Sequence, residues 1–417
     1  MRVVQVNAVY GVGSTGRTVA ELADGLRQRG ITSSVAYSSG LPAEGGFQIG
    51  TPFEKKLHAL GSRVTGRQAY FSRQGTAELL RHLDEEPPDL VHLHNLHSNF
   101  IHLPMLLEYL SSRDIATAVT LDDCWHYTGK CCHYTVDSCL RWQTGCGSCP
   151  RLHKDNPSWF VDATASMWAD KKRLYSRIPR LGVVGVSDWI TGEARRSILA
   201  QAKILRRIYN WVDLGIFDPA PEANFASYPW AEDDFVILGV ASRWSSAKGY
   251  DDLVRLARAL EAGALQESLA SSKERRSIRP RLVLVGAIEA KAALPTCMTV
   301  LPPTNDVREL AAYYRRADVL LQLSREESFG KVVAEALACG TPVIAYDSTA
   351  NPELIGPGCG YVIEPSDIDQ VVTRIREVIR LSRGHFSGSC RAFAERNFDK
   401  ESLVEEHVRL YEELRAQ

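Results

Sequence analysis

The sequence predicts an α/β protein with two domains, each built around a sheet of parallel strands. Short apolar runs such as residues 319–323 have the length and composition of buried parallel strands. A polar or glycine-rich turn and then a helical pattern follow such runs, which is a feature of nucleotide-binding folds. The 417 residues exceed the size of one domain and suggest two domains of about 200 residues.

The composition is that of an ordinary globular chain, because 45% of the residues are apolar and 24% are charged. The net charge of −1 is unevenly distributed: residues 1–210 carry +6 and the remainder carries −7. The positive excess is concentrated in residues 151–210, which contain 12 basic and 5 acidic residues. A solvated helix face explains this excess as well as an anionic partner does. As a partner we expect an anionic membrane surface or a phosphorylated acceptor, and no nucleic acid.

The sequence indicates a cytoplasmic protein that is attached peripherally to the inner face of the cell membrane. Its first residues run directly into a strand, and no apolar run approaches 18 residues. Ten cysteines in such a compartment favour a metal site or free thiols over disulfide bonds.

Residues 319–344 read as a strand, a polar turn, a helix and the start of the next strand. The turn covers 324–329, and the helix runs from Gly330 to Cys339. The first amides of a helix have no internal acceptor, and the helix dipole places partial positive charge there. Because Gly330 has no side chain, a phosphate can approach this backbone closely. The segment therefore predicts an anion site.

Two glutamates, Glu327 and Glu335, accompany this predicted anion site, with seven residues between them. Carboxylates are poor phosphate ligands but good acceptors for hydroxyl groups. A ligand that carries both phosphates and hydroxyls, such as a nucleotide sugar, would use both features. The plain alternative is that both glutamates are solvated surface charges.

The residues around these glutamates resemble the donor-site signature of retaining glycosyltransferases of family four. The similarity rests on Glu327-Ser-Phe-Gly330, on Glu335, on Ala338-Cys-Gly-Thr-Pro-Val343 and on Asn351-Pro-Glu353. It implies the GT-B fold, in which two Rossmann-like domains face each other across a cleft. It also implies that Glu327 accepts hydroxyls of the sugar, that Glu335 accepts those of the ribose, and that Phe329 and Gly330 line the donor site.

Arg243 and Lys248 lie in one segment after the apolar strand 235–240, and this segment matches the family's pyrophosphate-binding motif. The resemblance implies that both cations bind the diphosphate of the donor. Because a leaving nucleoside diphosphate accumulates negative charge, fixed cations stabilise it. We therefore assign Arg243, Lys248 and Glu327 to the catalytic set.

A glycine-rich turn at residues 11–16 follows the first strand and precedes a helix predicted over 18–29. It resembles the N-terminal loop of GT-B transferases, which lies near the donor phosphate, and this implies that Gly13 and Ser14 bind the donor. A plain tight turn is the alternative. A dinucleotide site is disfavoured because no acidic residue follows about 20 positions later at a second strand end.

The strand predicted over 115–121 ends at Asp122, where the family usually has a histidine that contacts the transferred sugar. This departure leaves three interpretations. In the first, Asp122 accepts a hydrogen bond from a sugar hydroxyl and belongs to the catalytic set. In the second, His126 replaces the histidine, and in the third, Asp122 and Asp123 are structural.

The strand predicted over 88–94 ends in a group of polar residues, namely Asn95, His97 and Asn99. The carboxyl ends of strands in an open α/β sheet face the ligand crevice. These side chains therefore either contact the acceptor or only form hydrogen bonds within the fold.

Four cysteines, Cys131, Cys139, Cys146 and Cys149, lie in an insert at residues 124–150. Four soft ligands in a short segment suit tetrahedral zinc, and a Cys-x-x-Cys pair presents two thiolates to one metal. We expect a structural zinc without a catalytic role, because four thiolates leave no open coordination position. A similar insert occurs in a subset of these transferases linked to surface polysaccharide synthesis. Free thiols or a redox pair are the alternatives to zinc, and other candidate ligands are Cys124, Cys132 and His133.

The predicted organisation is an acceptor-binding domain at 1–210, a nucleotide-sugar-binding domain at 211–400 and a terminal helix at 401–417 that returns to the first domain. Residues 181–186 are expected to form the last strand of the first domain. Residues 262–280 are expected to form a surface loop.

These features together predict a retaining, metal-independent glycosyltransferase. It would transfer a hexose-type sugar from a UDP- or GDP-sugar to a glycan acceptor, which we expect to be lipid-linked, in bacterial surface polysaccharide synthesis. Peripheral contact with the membrane is expected through residues 151–210. The alternatives are a transferase acting on a small metabolite or antibiotic aglycone, and an inactive GT-B scaffold subunit, which the complete set of donor-site residues disfavours.

Overall fold

The structure is a computed structural model that describes residues 1–220, 228, 230–265, 278–288 and 293–417. The chain forms two compact units. The first contains Met1–Asn210 together with Glu401–Gln417, and the second contains Trp211–Lys400. Most of the surface loop predicted at 262–280 lies outside the described residues.

The first unit is a parallel sheet with connecting helices. Its strands are β1 (Arg2–Tyr10), β2 (Thr32–Gly40), β3 (Phe47–Gln48), β4 (Leu90–Leu93), β5 (Ala116–Leu121), β6 (Leu181–Gly185) and β7 (Ile204–Arg207). Its helices up to this point are α1 (Gly13–Gln28), α2 (Pro52–Thr65), α3 (Arg73–Glu85), α4 (Leu103–Ser112), α5 (Thr164–Tyr175) and α6 (Asp188–Arg195).

The strands of this sheet lie in the order β3-β2-β1-β4-β5-β6-β7. Every residue of β4, β5 and β6 is buried, as expected for central strands with both faces covered. The chain winds from β1 towards β3 on one side and then returns to place β4 on the other side. Ligands of open α/β sheets bind at the carboxyl ends of strands beside such a reversal, which here lies between β1 and β4.

The second unit is also a parallel sheet with helices. Its strands are β8 (Phe235–Arg243), β9 (Pro280–Ala287), β10 (Met298–Leu301), β11 (Val319–Gln322), β12 (Val343–Tyr346) and β13 (Gly360–Ile363). Its helices are α7 (Tyr250–Glu261), α8 (Val307–Arg316), α9 (Lys331–Ala338), α10 (Ile368–Leu381) and α11 (Arg383–Phe398). The strand order is β10-β9-β8-β11-β12-β13, so the winding reverses between β8 and β11.

The last helix, α12 (Lys400–Arg415), belongs to the first unit. Tyr411 reaches the centre of the sheet, where its hydroxyl lies 2.7 Å from Nδ1 of His92 on β4. Val404 packs against Gly25 of α1, where a Cβ atom would lie 3.0 Å from Cγ1 of Val404. At the surface, Arg206 of β7 forms an ion pair of 2.7 Å with Glu413. The core of the first unit is therefore completed by the end of the chain.

The α/β fold class is confirmed, and two local predictions are wrong. Residues 181–186 are not the last strand of the first unit, because β7 pairs with β6. The edge strand β7 is only half-buried and contains two arginines, so it lacks the apolar run that marks a central strand. The first helix begins at Gly13 instead of 18, because the glycine-rich segment forms its first turn.

Candidate donor site and the strand ends of the first unit

The predicted donor-site residues of the second unit lie at the winding reversal between β8 and β11. Arg243 is the last residue of β8, and Lys248 ends the short 3₁₀ turn that follows. Glu327 and Gly330 lie in the loop after β11, the strand that pairs with β8. The two loops are joined directly, since the amide of Arg325 donates to the carbonyl oxygen of Ala247 at 2.8 Å.

Lys248 and Glu327 form the centre of this arrangement. The ammonium group of Lys248 donates to Oε1 of Glu327 at 2.5 Å. Gln322, the last residue of β11, donates to the same oxygen at 3.1 Å, and the amide of Glu327 donates to Thr349 Oγ1 at 2.9 Å. Because two donors hold one carboxylate oxygen and Thr349 fixes the backbone amide, Glu327 has a defined orientation at the strand edge.

Two glycines allow the loops to approach each other and a ligand. Gly249 has a φ of 78°, and a Cβ atom there would collide with the carbonyl oxygen of Leu323. Gly330 has a φ of 85° and immediately precedes α9. L-residues with a side chain rarely adopt this conformation, so glycine is required to turn the chain into the helix. The amino end of α9 therefore faces the same edge of the sheet as Lys248 and Glu327.

Glu335 and Phe329 are more deeply placed than the other donor-site residues. The carboxylate of Glu335 is buried, and the hydroxyl of Tyr314 on α8 donates to its Oε2 at 2.9 Å. Phe329 is also buried and packs edge-on against Phe398, with ring centroids 5.6 Å apart. Phe329 thus holds the turn before α9 in place, and whether either residue contacts a ligand stays a prediction.

A hydrogen-bond network behind the donor loops, centred on Asp252, was not predicted from the sequence. Asp252 on α7 is almost fully buried and accepts hydrogen bonds from Arg325 at 2.8 Å and from Tyr346 at 2.9 Å. Burial raises the pKa of this carboxyl group, but the hydrogen bonds from Arg325 and Tyr346 outweigh it and lower the pKa below its usual value. This network connects α7, β12 and the loop after β11. An acid in the first turn of a helix is common, so the sequence offered no signal for it.

In the first unit, Gly13 and Ser14 lie at the winding reversal between β1 and β4. They form the exposed first turn of α1, directly after β1. Gly13 has a φ of 65°, and a Cβ atom there would meet no atom within 4 Å. The turn is thus open to solvent at the edge where a ligand is expected. Its assignment to the donor site stays a prediction.

His94 and His126 are held inside the first unit. His94 donates from Nε2 to Oε1 of Gln5 at 3.0 Å. His126 donates from Nε2 to the His94 carbonyl at 2.7 Å and accepts at Nδ1 from the Tyr175 hydroxyl at 2.6 Å. Burial lowers the pKa of His94 to about 3 and that of His126 to about 4, so both are neutral. With both ring nitrogens of His126 used by the fold, the structural interpretation is favoured for that residue.

His97 differs from these two histidines because it has carboxylate neighbours and a partly exposed ring. Its Nε2 lies 3.0 Å from Oδ2 of Asp123, a contact aligned as an ion pair and not as a linear hydrogen bond. Burial lowers the pKa of His97, but the charges of Asp123 and Asp122 raise it above the usual value. Burial raises the pKa of Asp123, but the charge of His97 outweighs this effect and lowers the pKa of Asp123 to about 2. Asp122, half-buried directly after β5, therefore stands near an imidazole whose protonated form is favoured by its surroundings.

A set of possible metal ligands was not predicted as a group. Among the described residues, the ligand atoms of His97, Asp123 and Cys132 all lie within 4.8 Å of one another. Burial keeps the pKa of the Cys132 thiol well above its ordinary value. The three residues come from the loop after β4, the end of β5 and the insert, so no spacing in the sequence reveals them.

The four predicted zinc ligands, Cys131, Cys139, Cys146 and Cys149, line one small cavity of about 20 Å³ in the insert. All ten cysteines of the chain are free thiols. A hydrogen bond from Cys131 lowers the pKa of Cys149 to about 7, and burial raises the pKa of Cys146 to about 11. A cavity of this size has room for about one water-sized particle. The structure thus brings together the four residues that the sequence singled out.

Two buried lysines, Lys130 and Lys171, bond to carbonyl groups of the insert and its flanks, and Lys130 also lines the cavity. Neither was predicted to be structural. Lys130 donates to the carbonyl oxygens of Arg151, Leu152 and Lys154 at 2.9–3.0 Å. Lys171 donates to the carbonyls of Trp125 and Thr128, and its ammonium group lies 3.5 Å from the centre of the Trp125 ring. Burial lowers the pKa of Lys171 to about 7, whereas the nearby thiols oppose this shift. Buried ammonium groups are costly unless they are compensated, so their presence here calls for negative charge in the insert.

Comparison with known protein families decides the classification. Residues 15–215 match the family described as "Glycosyltransferase Family 4", and residues 221–397 match the family described as "Glycosyl transferases group 1". The chain belongs to the family-four glycosyltransferases. An Escherichia coli (strain K12) relative described as "Putative colanic acid biosynthesis glycosyl transferase WcaC" is 25% identical over 343 residues, which cover 78% of this chain and 77% of that protein.

Solved structures confirm that this glycosyltransferase has the GT-B fold. A sucrose-phosphate synthase from Thermosynechococcus elongatus superimposes with a TM-score of 0.69 at 17% identity, covering 100% of this chain and 99% of that chain. The Anabaena protein HepE in complex with UDP-glucose superimposes with a TM-score of 0.61 at 16% identity, covering 100% of both chains. Within the described residues, no helix of the enzyme has the length and apolar character needed to cross a membrane.

Proposed function

We propose that this enzyme is a retaining transferase that moves a hexose-type sugar from a nucleoside diphosphate sugar to a glycan acceptor. The observation that carries the proposal is the contact of 2.5 Å between Lys248 and Glu327, beside the amino end of α9. A cation, an oriented carboxylate and helix amides at one sheet edge suit a ligand that carries both phosphates and hydroxyls.

In the proposed reaction, Arg243, Lys248 and the amides at the start of α9 bind the donor diphosphate. The bond between the anomeric carbon and the phosphate oxygen breaks, and these groups stabilise the charge that develops on the leaving phosphate. The acceptor hydroxyl attacks from the same face, and its proton passes to the departing phosphate oxygen. The anomeric configuration is retained without a carboxylate nucleophile, and the two fixed cations make a metal unnecessary for transfer.

The glutamates are proposed to position the donor. Glu327, held by Lys248 and Gln322, would accept hydrogen bonds from the sugar, and Glu335, oriented by Tyr314, from the ribose. The UDP-glucose bound to the structurally similar Anabaena protein supports a UDP-sugar as donor.

The acceptor is proposed to be a lipid-linked glycan of a bacterial surface polysaccharide. The name of the Escherichia coli relative, which refers to colanic acid biosynthesis, supports this assignment. The acceptor would bind to the first unit, at the strand ends that carry Asp122 and His97. We also propose that the enzyme works at the inner face of the cell membrane, with the positively charged region 151–210 as part of the contact.

A structural zinc is proposed at Cys131, Cys139, Cys146 and Cys149. Four thiolates and Zn²⁺ carry a net charge of −2, which matches the two buried ammonium groups of Lys130 and Lys171. The cavity between the thiols has room for about one ion. Zinc would draw the four sulfur atoms inward and fix an insert that contains little regular structure.

Transfer with defined donors tests the proposed function. The purified enzyme is incubated with UDP-glucose or GDP-mannose and a lipid-linked oligosaccharide, release of the nucleoside diphosphate is followed, and the anomeric configuration of the product is read by NMR. We expect turnover with one donor class and an α-linked product from an α-linked donor. A product of inverted configuration contradicts the retaining mechanism, and the absence of binding to any nucleoside diphosphate sugar contradicts the donor site. Binding without turnover on any acceptor would indicate the scaffold alternative.

A further inference from the structure

The helix α2 turns polar side chains inward and apolar side chains outward. His58 and Ser62 are its buried residues. Nδ1 of His58 lies 2.7 Å from the Ser72 hydroxyl, and the amide of Ala69 donates to Nε2 of His58 at 3.1 Å. The exposed side chains, with 41–70% of their surface accessible, are Phe53, Leu57, Leu60 and Val64.

These four residues, here called the apolar stripe, follow one another at intervals of four, three and four positions. That spacing places them on one face of an α-helix. The helix is well defined, because Thr51 caps its start by accepting from the amide of Glu54, and Gly66 ends it with a φ of 71°. A helix in a globular protein normally turns such a stripe towards the core. The reversed orientation of α2 therefore indicates a surface that becomes covered by something else.

A second apolar segment, residues 159–161, continues the same surface. The amide of Trp159 donates to the carbonyl oxygen of Arg63 at 2.7 Å. A Cβ atom at Gly66 would collide with the carbonyl oxygen of Val161, so the segment lies directly against the end of α2. Trp159, Phe160 and Val161 are 47–74% exposed. The surface therefore combines an aliphatic helix face with an exposed tryptophan and phenylalanine.

Positive charge borders the apolar stripe. Lys56 and Arg63 are exposed and precede Leu57 and Val64 by one position each, which places them beside the stripe. In the described part of the chain, neither side chain has an ion-pair partner. The acidic residue of α2, Glu54, is turned inward, because its carboxylate accepts from the amide of Gly75 at 3.1 Å. The charge next to the stripe is thus positive and uncompensated.

Unlike Lys56 and Arg63, several basic residues of 151–210 are neutralised by ion pairs. Arg151 pairs with Asp137 at 2.6 Å and Arg180 pairs with Asp114 at 3.2 Å. The exposed hydrophobic part of that region is 159–161, which adjoins α2. The surface suited to a membrane is therefore centred on α2.

We propose that α2 and residues 159–161 form a docking surface for an anionic lipid bilayer. An interfacial helix of this kind inserts its apolar face at the boundary between head groups and acyl chains, while its basic residues contact anionic head groups. Tryptophan is favoured at this depth because its ring is amphipathic. A second copy of the chain suits the surface less well. A two-fold interface would bring the same basic residues of both copies together.

This inference rests on the proposed function only for its purpose, which is to bring the enzyme to a lipid-linked acceptor. Vesicle flotation tests it without donor or acceptor, so a failure here is distinguishable from a failure of the transferase assignment. The full chain is mixed with vesicles of phosphatidylcholine alone or with added phosphatidylglycerol. We expect binding to the mixed vesicles, and weaker binding to phosphatidylcholine.

Two pairs of variants separate the apolar and the electrostatic contributions. Leu57→Glu/Leu60→Glu should abolish flotation, whereas Leu57→Phe/Leu60→Phe should float as the wild type does. Lys56→Glu/Arg63→Glu should lower the partition coefficient roughly tenfold or more. The matched control is Arg81→Glu/Arg409→Glu, which reverses two exposed charges of the first unit that lie outside α2 and outside residues 151–210, and it should leave flotation nearly unchanged.

Several outcomes would overturn the proposal. Wild-type protein that does not float with anionic vesicles contradicts it directly. The same holds if the Leu57→Glu/Leu60→Glu protein is folded and floats as well as the wild type. A wild type that is dimeric by ultracentrifugation, does not bind vesicles and becomes monomeric in this variant would assign the surface to a second copy. If the glutamate variant fails to fold, the charge-reversal pair and the comparison of the two lipid compositions still decide.

Discussion

Polar residues follow the strands of both units, but they have different surroundings. After β8 and β11, the side chains of Lys248, Gln322 and Glu327 bond to one another at the sheet edge. After β4 and β5, His94 and His126 are buried and bond to groups that build the fold. Position at the carboxyl end of a strand therefore does not by itself indicate a ligand contact. The partners and the exposure of the side chain are needed as well.

The difference follows from how each edge is built. The donor edge consists of short loops between regular strands and helices, and glycines at 249 and 330 allow close approach of the backbone. The corresponding edge of the first unit carries the long insert after β5, which covers neighbouring side chains. Donor binding and the stability of the insert should therefore respond to different mutations.

Removal of a zinc ligand should have the largest effect and should be confined to the first unit. We expect purified wild-type protein to contain about one zinc ion per chain, and Cys146→Ser to lose most of it. The free energy of unfolding should fall by roughly 3–5 kcal/mol, which is in the range for loss of a bound metal. Elemental analysis and urea unfolding measure these changes.

Cys297→Ser is the matched control, since this half-buried thiol belongs to the second unit. It should change neither the zinc content nor the affinity for UDP. Wild-type protein that is free of zinc and fully stable would contradict the proposed site. Loss of zinc from Cys132→Ser but not from Cys146→Ser would move the metal to the set formed by His97, Asp123 and Cys132.

Lys248→Ala should give the next largest effect, and it should act on catalysis. Loss of a cation at the leaving phosphate should reduce kcat/KM by about 2–4 kcal/mol in transition-state stabilisation. Thermal unfolding should change little, because Lys248 is partly exposed. Arg258→Ala removes an exposed cation from α7 of the same unit and serves as control. Equal turnover of Lys248→Ala and wild type would exclude this residue from the donor site.

A pair of histidine variants sharpens the comparison within the first unit. His126→Phe leaves the His94 carbonyl and the Tyr175 hydroxyl without a partner, so stability should fall by roughly 2–3 kcal/mol. The kcat of the folded fraction should stay the same. His97→Gln should change kcat with a smaller loss of stability, because the ring of His97 is partly exposed. The reverse pattern would show that His126 contacts substrate and that His97 is structural.

The ion pair of His97 with Asp123 also predicts a pH dependence of stability, which tests the role of His97 separately. Because the pKa of His97 is raised in the folded state, the stabilisation is complete below pH 6.5 and is lost as the pH rises through the raised value. Urea unfolding at pH 6 and pH 9 should show this loss in the wild type and not in His97→Gln.

Asp122→His should have the smallest effect, a shift in donor preference of about 1.4 kcal/mol, or tenfold in relative kcat/KM. A carboxylate only accepts hydrogen bonds, whereas a protonated imidazole also donates them. The aspartate should disfavour a uronic acid donor through charge repulsion, and the histidine should relieve this. Affinity for the free nucleotide should not change, since the nucleotide is assigned to the second unit. If Asp122→His and Asp122→Ala both match wild type on every donor, Asp122 is structural.

Much of the fold could be predicted because its central strands are short, apolar and followed by marked turns. The apolar runs predicted at β4, β5 and β11 match the observed strands within two residues at each end. Elements with mixed composition were missed, such as the edge strand β7 and the strand β2, whose sequence is rich in serine. Tertiary pairing determines such strands, and a single sequence does not reveal the partner.

The candidate sites show the same division. The donor residues could be found because cations, glutamates and glycines occur in a fixed order along two continuous segments. Lys130 and Lys171 could not be recognised as buried, because an isolated lysine is normally solvated. The pairing of His97 with Asp123 joins two loops about 25 positions apart, and only the structure shows that they meet. The outward-facing stripe of α2 has the spacing of an ordinary amphipathic helix, so its orientation could not be read from the sequence.

The position of α12 has a consequence for biosynthesis. Tyr411, Val404 and Leu414 pack against residues that are translated at the beginning or in the middle of the chain. Domains usually fold as they emerge from the ribosome, with the N-terminal domain first. The core of the first unit can therefore be completed only after the last residues of the chain have been synthesised. The nascent chain therefore exposes the α12-facing surface of that unit throughout synthesis of the second, and premature termination even within the last helix would leave both units translated but only one of them complete.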